Sequence, residues 1–248
     1  MSLYKIANLI VDMNIKYEPL LSQSSKYEIK KSNKFDLNKF DSNKFDLSHA
    51  DIVIPNMNEE LLKYENKFPH LSIGDCEYML YGACFYEELL KHNGILLHSS
   101  CVVLDGYAYL FSAPSGVGKS THTQLWLQAF KNARILNDDK PAIIIKNNNV
   151  YASGTPFSGK TNLNINEIYP IKGIAFIERS KDNWIKENDI KSSIYAMLNQ
   201  TIRPNDEIIM ENAIDIIEKI VKNVKIYKFG CNISLDAVYT SYNKMKEG

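Results

Sequence analysis

The sequence lacks a net charge and a long apolar run. Lys and Arg total 29, as do Asp and Glu, so no bulk electrostatic attraction to nucleic acid or to an anionic membrane is expected. No apolar run approaches the roughly 18 residues of a membrane-spanning helix, and the N-terminus lacks the basic-then-apolar order of a signal peptide. We therefore expect a soluble, cytoplasmic protein with no nucleic-acid or membrane partner, and we leave a homo-oligomer open.

Cysteine is scarce as well. Cys76, Cys84, Cys101 and Cys231 form neither a Cys-x-x-Cys pair nor a zinc-ligand spacing. Cys76 and Cys84 fall in a predicted helix and Cys101 in a predicted strand. This placement favours small core residues over redox or metal sites.

What the sequence does contain is a phosphate-binding loop. Residues 113–121 read Ala-Pro-Ser-Gly-Val-Gly-Lys-Ser-Thr, with Ala113 in place of the usual first glycine. The loop follows a strand-like run and precedes a helix-like one, which is the context that the motif requires. A glycine-rich turn without a ligand is the alternative, but the pattern favours a nucleotide site. The predicted nucleotide-binding residues are Ser115, Gly116, Val117, Gly118, Lys119, Ser120 and Thr121.

The loop chemistry predicts ATP and Mg²⁺ as the cofactors. Successive backbone N–H groups surround the phosphate, and Lys119 supplies a cation. The Ser120 hydroxyl is a hard oxygen donor suited to Mg²⁺. The helix predicted over 120–130 adds its positive dipole end to the site.

The N-terminal third reads as strands followed by helices. Residues 4–15 predict a strand and residues 27–29 the start of another, with a further short strand over 51–55. Helices are predicted over 59–68, with Asn58 as N-cap, and over 75–92, closed by Asn93-Gly94. Between them Asn-Lys-Phe-Asp occurs three times at a period of five, which fits neither helix nor strand and predicts an expanded surface loop rather than a docking arm.

The rest of the chain mixes hairpins and helices. Strands over 95–104 and 107–111 flank Asp105-Gly106, a strong hairpin signal, and a second hairpin is predicted around 147–149. Further strands are predicted over 135–140, 173–177 and 224–229, and further helices over 190–198, 206–221 and 235–246. This pattern favours an α/β fold of α+β character with a mixed, largely antiparallel sheet over a doubly wound parallel sheet.

Phosphoryl transfer also needs a metal ligand and a group that orients the acceptor. Asp138 and Asp139 end a predicted strand about twenty residues after the loop, where they can supply the metal ligand and the base. His98 lies on the strand paired with the one that enters the loop. Lys160, Arg179 and Arg203 are candidates for phosphate or acceptor contact, with a solvated charge as the alternative for each.

These residues resemble the catalytic domain of HPr kinase/phosphorylase, which is related to the phosphoenolpyruvate carboxykinases. The resemblance covers residues 94–179 and, more loosely, the C-terminal part. It is carried by Ser-Ala-Pro-Ser-Gly-Val-Gly-Lys-Ser-Thr-His at 112–122, Asn-Asp-Asp-Lys-Pro at 137–141 and Gly-Thr-Pro-Phe-Ser-Gly-Lys at 154–160. The resemblance implies a P-loop kinase-like catalytic domain over 94–248 and an accessory α/β extension over 1–93 that contains a low-complexity loop at 32–47.

The resemblance also implies roles for individual residues. Lys119 would bind phosphate, Ser120 and Asp139 would hold Mg²⁺, Asp138 would act as base on a hydroxyl, and His98 would lie beside the transferred phosphate. The chain lacks the Gly-Arg-Gly-Leu-Gly loop of HPr kinases, so the carrier protein HPr is not indicated as acceptor.

The sequence thus predicts a kinase that transfers the γ-phosphoryl group to a hydroxyl, either a Ser or Thr of a peptide or small protein or a small hydroxylated metabolite. Two alternatives stay open. One is a nucleotide-binding regulatory or scaffold protein with little turnover, and the other is carboxykinase chemistry.

Overall fold

The computed structural model describes residues 2–30 and 49–247. The three Asn-Lys-Phe-Asp repeats and the whole predicted loop 32–47 lie outside the described residues. Within the described part the chain forms seven helices and two β-sheets, a mixed α/β fold.

The smaller sheet is built from the N-terminus. Strands β1 (Ser2–Ile6) and β2 (Leu9–Met13) form an antiparallel hairpin, and β3 (Ile52–Val53) pairs parallel with β2. The prediction of one strand over 4–15 is therefore wrong. The chain reverses at Ala7 and Asn8, whose φ values of 52° and 64° form a tight left-handed turn without glycine. Glu28 pairs with Tyr4 through an isolated antiparallel bridge, in agreement with the expected start of a strand at 27–29.

Three helices accompany this sheet. They are α1 (Leu20–Ser24), α2 (Asn58–Lys67) and α3 (Ile73–Leu90). Helix α3 begins before the predicted Asp75, because Ser72 and Asp75 form a capping box. The expected N-cap role of Asn58 is wrong: Met57 holds that position without a side-chain hydrogen bond, and Asn58 Oδ1 instead accepts from Lys16 Nζ at 2.8 Å.

The larger sheet has nine strands in the described chain. They are β4 (Gly94–Leu96), β5 (Ser99–Leu104), β6 (Tyr107–Ser112), β7 (Arg134–Asn137), β8 (Ala142–Lys146), β9 (Asn149–Ser153), β10 (Ile168–Arg179), β11 (Trp184–Glu187) and β12 (Ile226–Cys231). The order is β4-β8-β9-β10-β6-β5-β7, and β12 joins β10 to β11. Among these strands β10 pairs parallel with β6 and β12, and the other pairs are antiparallel. The predicted mixed, largely antiparallel sheet is confirmed.

The strand predicted over 95–104 is interrupted at Leu97 and His98. Strand β4 pairs with β8, whereas β5 pairs with β6 and β7, so the two halves belong to different parts of the sheet. At the break, Leu97 N donates to Pro141 O and Ser99 N donates to Asp139 O. The interruption therefore lays His98 alongside the Asp138–Asp139 segment.

Both predicted hairpins are present. The β5–β6 turn uses Asp105 and Gly106, with φ values of 51° and 82°, and the β8–β9 turn uses Asn147 and Asn148. Strand β10 is longer than the predicted 173–177, because its first residues pair with β9 and its later ones with β6 and β12. Strand β11 was not predicted.

Helices cover both faces of the larger sheet. The helices are α4 (Lys119–Ala129), α5 (Ile190–Asn199), α6 (Glu207–Asn223) and α7 (Leu235–Met245), each within two residues of its predicted bounds. Alternate residues of β5 face opposite ways: Cys101 and Val103 join the core with α5 and α6, whereas Val102 and Leu104 join the core with α4 and α7. A third core combines the N-terminal sheet with α3, β8 and Phe157.

The cysteines are all free, and Cys76, Cys101 and Cys231 are buried, in agreement with their predicted core role. No helix in the described ranges 2–30 and 49–247 is long and apolar enough to cross a membrane.

We predict that His122 makes stability depend on pH. This side chain of α4 is buried, its Nε2 accepts from Trp126 Nε1 at 3.1 Å, and burial lowers its pKa from 6.5 to about 3. The unfolded chain therefore binds a proton between these pH values that the folded chain does not, so stability falls as pH drops below about 6.5. When urea unfolding is measured between about pH 7 and pH 5, the free energy of unfolding should fall more steeply for the wild type than for His122→Gln.

His70→Gln is the matched control, since His70 is exposed. It should keep the wild-type pH dependence. Equal slopes for the wild type and His122→Gln would contradict the role given to His122.

Candidate active site

The loop that is predicted to bind phosphate joins β6 to α4, between the strand and the helix that the sequence predicts. Gly116 and Gly118 have φ values of 79° and 132°, a backbone region that favours glycine. A Cβ atom at either residue would have nothing within 4 Å, so the loop borders open space. Helix α4 begins at Lys119, and its N-terminal N–H groups are available to an anion at this place.

Lys119 lies inside the loop. Its side chain is buried and its Nζ donates to Ala113 O at 2.9 Å. Burial lowers the pKa of Lys119, and the nearby carboxylates of Asp139 and Asp138 oppose this effect. An ammonium has three donors, so one carbonyl partner leaves capacity for phosphate oxygens.

Arg179 supports the loop from the end of β10. Its Nη2 donates to Gly116 O at 2.6 Å and its Nε donates to Val117 O at 3.3 Å. Its guanidinium therefore binds backbone carbonyls of the loop. The side chain of Val117 packs against the core shared with α4 and α7.

Asp138 is a buried carboxylate held by hydroxyl groups. Ser100 Oγ donates to Asp138 Oδ1 at 2.7 Å, and Thr161 Oγ1 contacts Oδ2 at 3.4 Å. Because the Ser100 proton points at Asp138, Thr123 must donate in its 2.7 Å contact with Ser100. This chain connects Asp138 to the helix that begins at Lys119. The neutral partners leave lone pairs of the Asp138 carboxylate free for a proton or a metal ion.

Asn137 shapes the turn that carries both acids. Its Oδ1 accepts from the backbone N–H of Asp139 at 2.9 Å and of Lys140 at 2.7 Å. Its Nδ2 donates to Thr155 O, and Thr155 Oγ1 donates to Lys140 O. The Asn-Asp-Asp-Lys string and the Gly-Thr-Pro string therefore meet in one hydrogen-bond network.

Asp139 is paired with two basic side chains. Its Oδ1 lies 3.2 Å from His98 Nε2, and Lys140 Nζ contacts its Oδ2. Burial alone would raise the pKa of Asp139, but His98 and Lys140 outweigh it and lower the pKa to about 2. Burial also opposes the charge of Lys140, yet contacts with Tyr78 and Asp139 raise its pKa overall. The Asp139 carboxylate is thus an anion with both oxygens engaged.

His98 is fixed by a residue that the sequence did not indicate. Its backbone N–H donates to Gln200 O at 2.8 Å, and its Nδ1 lies 3.1 Å from Gln200 Oε1. Both ring nitrogens thus face oxygen atoms, and the imidazolium form donates to both. Gln200 follows α5 directly and positions the ring.

The loop predicted around 154–160 closes over the acids. Gly159 has a φ of 70°, and a Cβ there would lie 3.0 Å from Asp139 Cβ. Its N–H donates to the Tyr78 hydroxyl at 2.9 Å. Lys160 is exposed and lines the cleft.

The N-terminal segment holds this loop in place. Gln23 Nε2 donates to Gly159 O and Thr161 O at 3.0 and 3.1 Å, and Lys26 Nζ donates to Asn164 O at 2.9 Å. Gln23 is 2% exposed, so this contact is an interior one.

Lys119, His98, the two acids and residues 158–161 border one cleft of about 560 Å³. Every predicted site residue except Val117, Arg179 and Arg203 lines it. The residues that were not predicted and also line it are Pro19, Asp75, Tyr78, Lys140, Ser158, Gly159 and Thr161. Arg203 is exposed beyond α5, and its role stays a prediction.

The site fits a magnesium–nucleotide complex better than a protein-only metal site. In the described part of the chain no group of three or more His, Cys, Asp or Glu side chains could hold a metal ion. Mg²⁺ is usually held by one or two carboxylates together with substrate phosphates and water. Ser120 and Asp138 offer oxygen atoms to the cleft beside the open loop, whereas Asp139 is engaged by His98 and Lys140.

No model of a known protein family matches the chain, and no curated protein matches it. Among solved structures the chain is similar to the Hpr(Ser) kinase/phosphatase from Coxiella burnetii, with 12% sequence identity and a TM-score of 0.37. The match covers 62% of this chain and 99% of that chain. The likeness is distant and does not establish a family.

We predict that Gly159→Ala lowers the free energy of unfolding by more than the cost of placing an L-residue in the left-handed region, because the added methyl group would contact Asp139. An L-residue in the left-handed region costs roughly 1–2 kcal/mol. At Gly159 the added methyl also presses on Asp139, whereas at Gly106, with a φ of 82°, a Cβ meets nothing within 4 Å. Urea unfolding should therefore show a larger loss of stability for Gly159→Ala than for the control Gly106→Ala. Equal losses would contradict close packing of Gly159 on Asp139.

Proposed function

We propose that this chain is an ATP- and Mg²⁺-dependent phosphotransferase that moves a γ-phosphoryl group to a hydroxyl. The acceptor is a Ser or Thr of a peptide or small protein, or a small hydroxylated metabolite. The observation that carries the proposal is the shared cleft. The proposal is supported by the lining of this cleft, which the predicted phosphate-binding loop shares with a buried carboxylate that has only neutral hydrogen-bond partners.

The loop and Lys119 would bind the phosphates. The backbone N–H groups at the start of α4 and the buried ammonium offer donors and positive charge on one side of the cleft. Ser120 and Asp138 would hold Mg²⁺, which would neutralise charge on the β- and γ-phosphates.

Asp138 would orient the acceptor hydroxyl and receive its proton. Ser100 and Thr161 fix the carboxylate in place while leaving acceptor capacity. A positioned carboxylate of this kind contributes to transfer by general base catalysis. Lys140, which is paired with Asp139, would supply positive charge beside the transferred group, and His98 would lie there against the other oxygen of Asp139.

Residues 94–248 would form the catalytic domain, and residues 1–93 would complete its cleft. Gln23 and Lys26 support the proposal through their hydrogen bonds to the 159–164 loop, and Tyr78 supports it through its bond to Gly159.

Two substitutions separate binding from transfer. Lys119→Ala removes the buried cation, so we expect at least tenfold weaker binding of Mg-ATP and loss of transfer. Asp138→Asn keeps the shape and the Ser100 contact but removes the base and weakens one Mg²⁺ ligand, so transfer should fall at least about a hundredfold while binding of Mg-ATP weakens less than it does in Lys119→Ala. Calorimetric titration measures the binding, and labelled ATP with peptide and metabolite pools measures the transfer.

Lys131→Ala is the control, because Lys131 is an exposed lysine just after α4. It should change neither quantity. Tight binding of Mg-ATP without transfer to any acceptor would contradict the kinase function and favour the regulatory alternative.

A further inference from the structure

A second, smaller hollow adjoins the cleft. We propose that it binds the side chain of an apolar residue in a peptide acceptor, close in sequence to the Ser or Thr that receives the phosphoryl group. The proposal rests on the proposed function, because it assigns the acceptor of that reaction. We call this hollow the apolar groove, defined by α3 residues 78–86, by Leu96 and Phe157, and by residues 199–202.

The floor of the groove is apolar and tightly packed. Phe157 is fully buried there, stacked on Phe85 and tilted against Tyr86, with ring centroids 5.7 and 5.4 Å apart. A Cβ at Gly82 would lie 3.3 Å from the Phe157 ring, so glycine is what allows α3 to approach this ring. Leu96 and Ile202 line the opposite side.

The far wall is held in place by hydrogen bonds. Thr201 Oγ1 donates to Leu96 O at 2.5 Å, and His98 N donates to Gln200 O at 2.8 Å. These bonds fasten the segment after α5 to β4. A ligand therefore meets a largely preformed surface, which lowers the entropy cost of binding.

The groove and the cleft share a wall. Tyr78, His98 and Lys140 line both, whereas no residue of the phosphate-binding loop lines the groove. A ligand in the groove thus lies across the His98–Asp139–Lys140 cluster from the phosphate-binding loop. In the proposed reaction an acceptor bound here would approach the loop from the side of His98 and Lys140.

The shape of the groove favours a side chain that is attached to a longer chain. Its volume of about 380 Å³ is near the lower end for small-molecule sites, about 300–1,000 Å³. Its rim is open, since Met79 is 47% exposed and Ala83 is exposed as well. A peptide can therefore enter from solvent, place one apolar side chain against Met79, Ala83 and Ile202, above the buried Phe157, and extend past His98 into the cleft.

A peptide array tests the specificity. Peptides with one fixed Ser and systematically varied neighbours are incubated with the full-length protein, Mg²⁺ and labelled ATP. We expect Leu, Ile, Met or Phe at one fixed distance from the Ser to lower KM roughly tenfold or more relative to Asp or Lys there, the factor that burial of one large apolar side chain gives. No preference at any position would overturn the proposal.

A variant that fills the groove tests whether the apolar side chain of the peptide binds there. Ala83→Trp should raise KM for the preferred peptide at least fivefold and leave the Kd of Mg-ATP unchanged. Glu87→Trp is the matched control, because Glu87 is exposed one turn further along α3 and does not line the groove. Ile202→Glu, from the opposite wall, gives the same test if Ala83→Trp does not fold. An unchanged KM in a folded groove variant would contradict the assignment.

A direct measurement of peptide binding distinguishes the groove proposal from the proposed kinase function. The same peptides with Ala in place of Ser are titrated against the wild type and Ala83→Trp. Apolar-selective binding that Ala83→Trp abolishes, without transfer to any Ser peptide, would support the groove and contradict the kinase function. Transfer that is indifferent to Ala83→Trp, or transfer only to free metabolites, would support the kinase function and overturn the groove.

Discussion

The burial of two neighbouring carboxylates is the constraint on which the site depends. Asp138 and Asp139 follow β7 directly, and like charges this close are costly to bury unless each is compensated. The protein uses a different solution for each. Asp138 receives hydroxyl donors from Ser100 and Thr161, while Asp139 is paired with His98 and Lys140. Two acids with the same sequence signal are thereby given different chemical environments.

This compensation accounts for several irregular features nearby. The interruption between β4 and β5 places His98 beside Asp139, where a continuous strand would have kept its regular pairing. Gly159 permits its loop to pack against the Asp139 side chain, and Asn137 accepts the N–H groups of the turn. Each feature interrupts regular secondary structure or restricts a side chain, and each brings a group into contact with Asp138, Asp139 or the turn that carries them.

Local signals in the sequence predicted the local structure well. The turn from β6 to α4, the Asp105-Gly106 hairpin and the C-terminal helices depend on residues that are close in the chain, so their patterns predict the structure. The interrupted strand at His98 and the roles of Ser100, Thr161 and Gln200 were missed, because these depend on partners far away in the sequence. His98 and Gln200 are 102 residues apart, and Ser100 and Asp138 are 38 apart. Ala7-Asn8 was missed for another reason: the turn lacks the glycine that normally marks it.

The wall shared by the cleft and the groove combines two basic side chains with one aromatic ring. His98 and Lys140 both contact Asp139 in the cleft, and the aromatic ring of Tyr78 faces Lys140, whose Nζ lies 5.2 Å from the ring centroid. The same ring has its hydroxyl bound to Gly159 N, so Tyr78 connects the lysine, the loop and helix α3. A change that moves α3 would therefore alter the groove and the charge beside Asp139 together. Tyr78 belongs to residues 1–93, so a residue of the N-terminal part lines both the cleft and the groove.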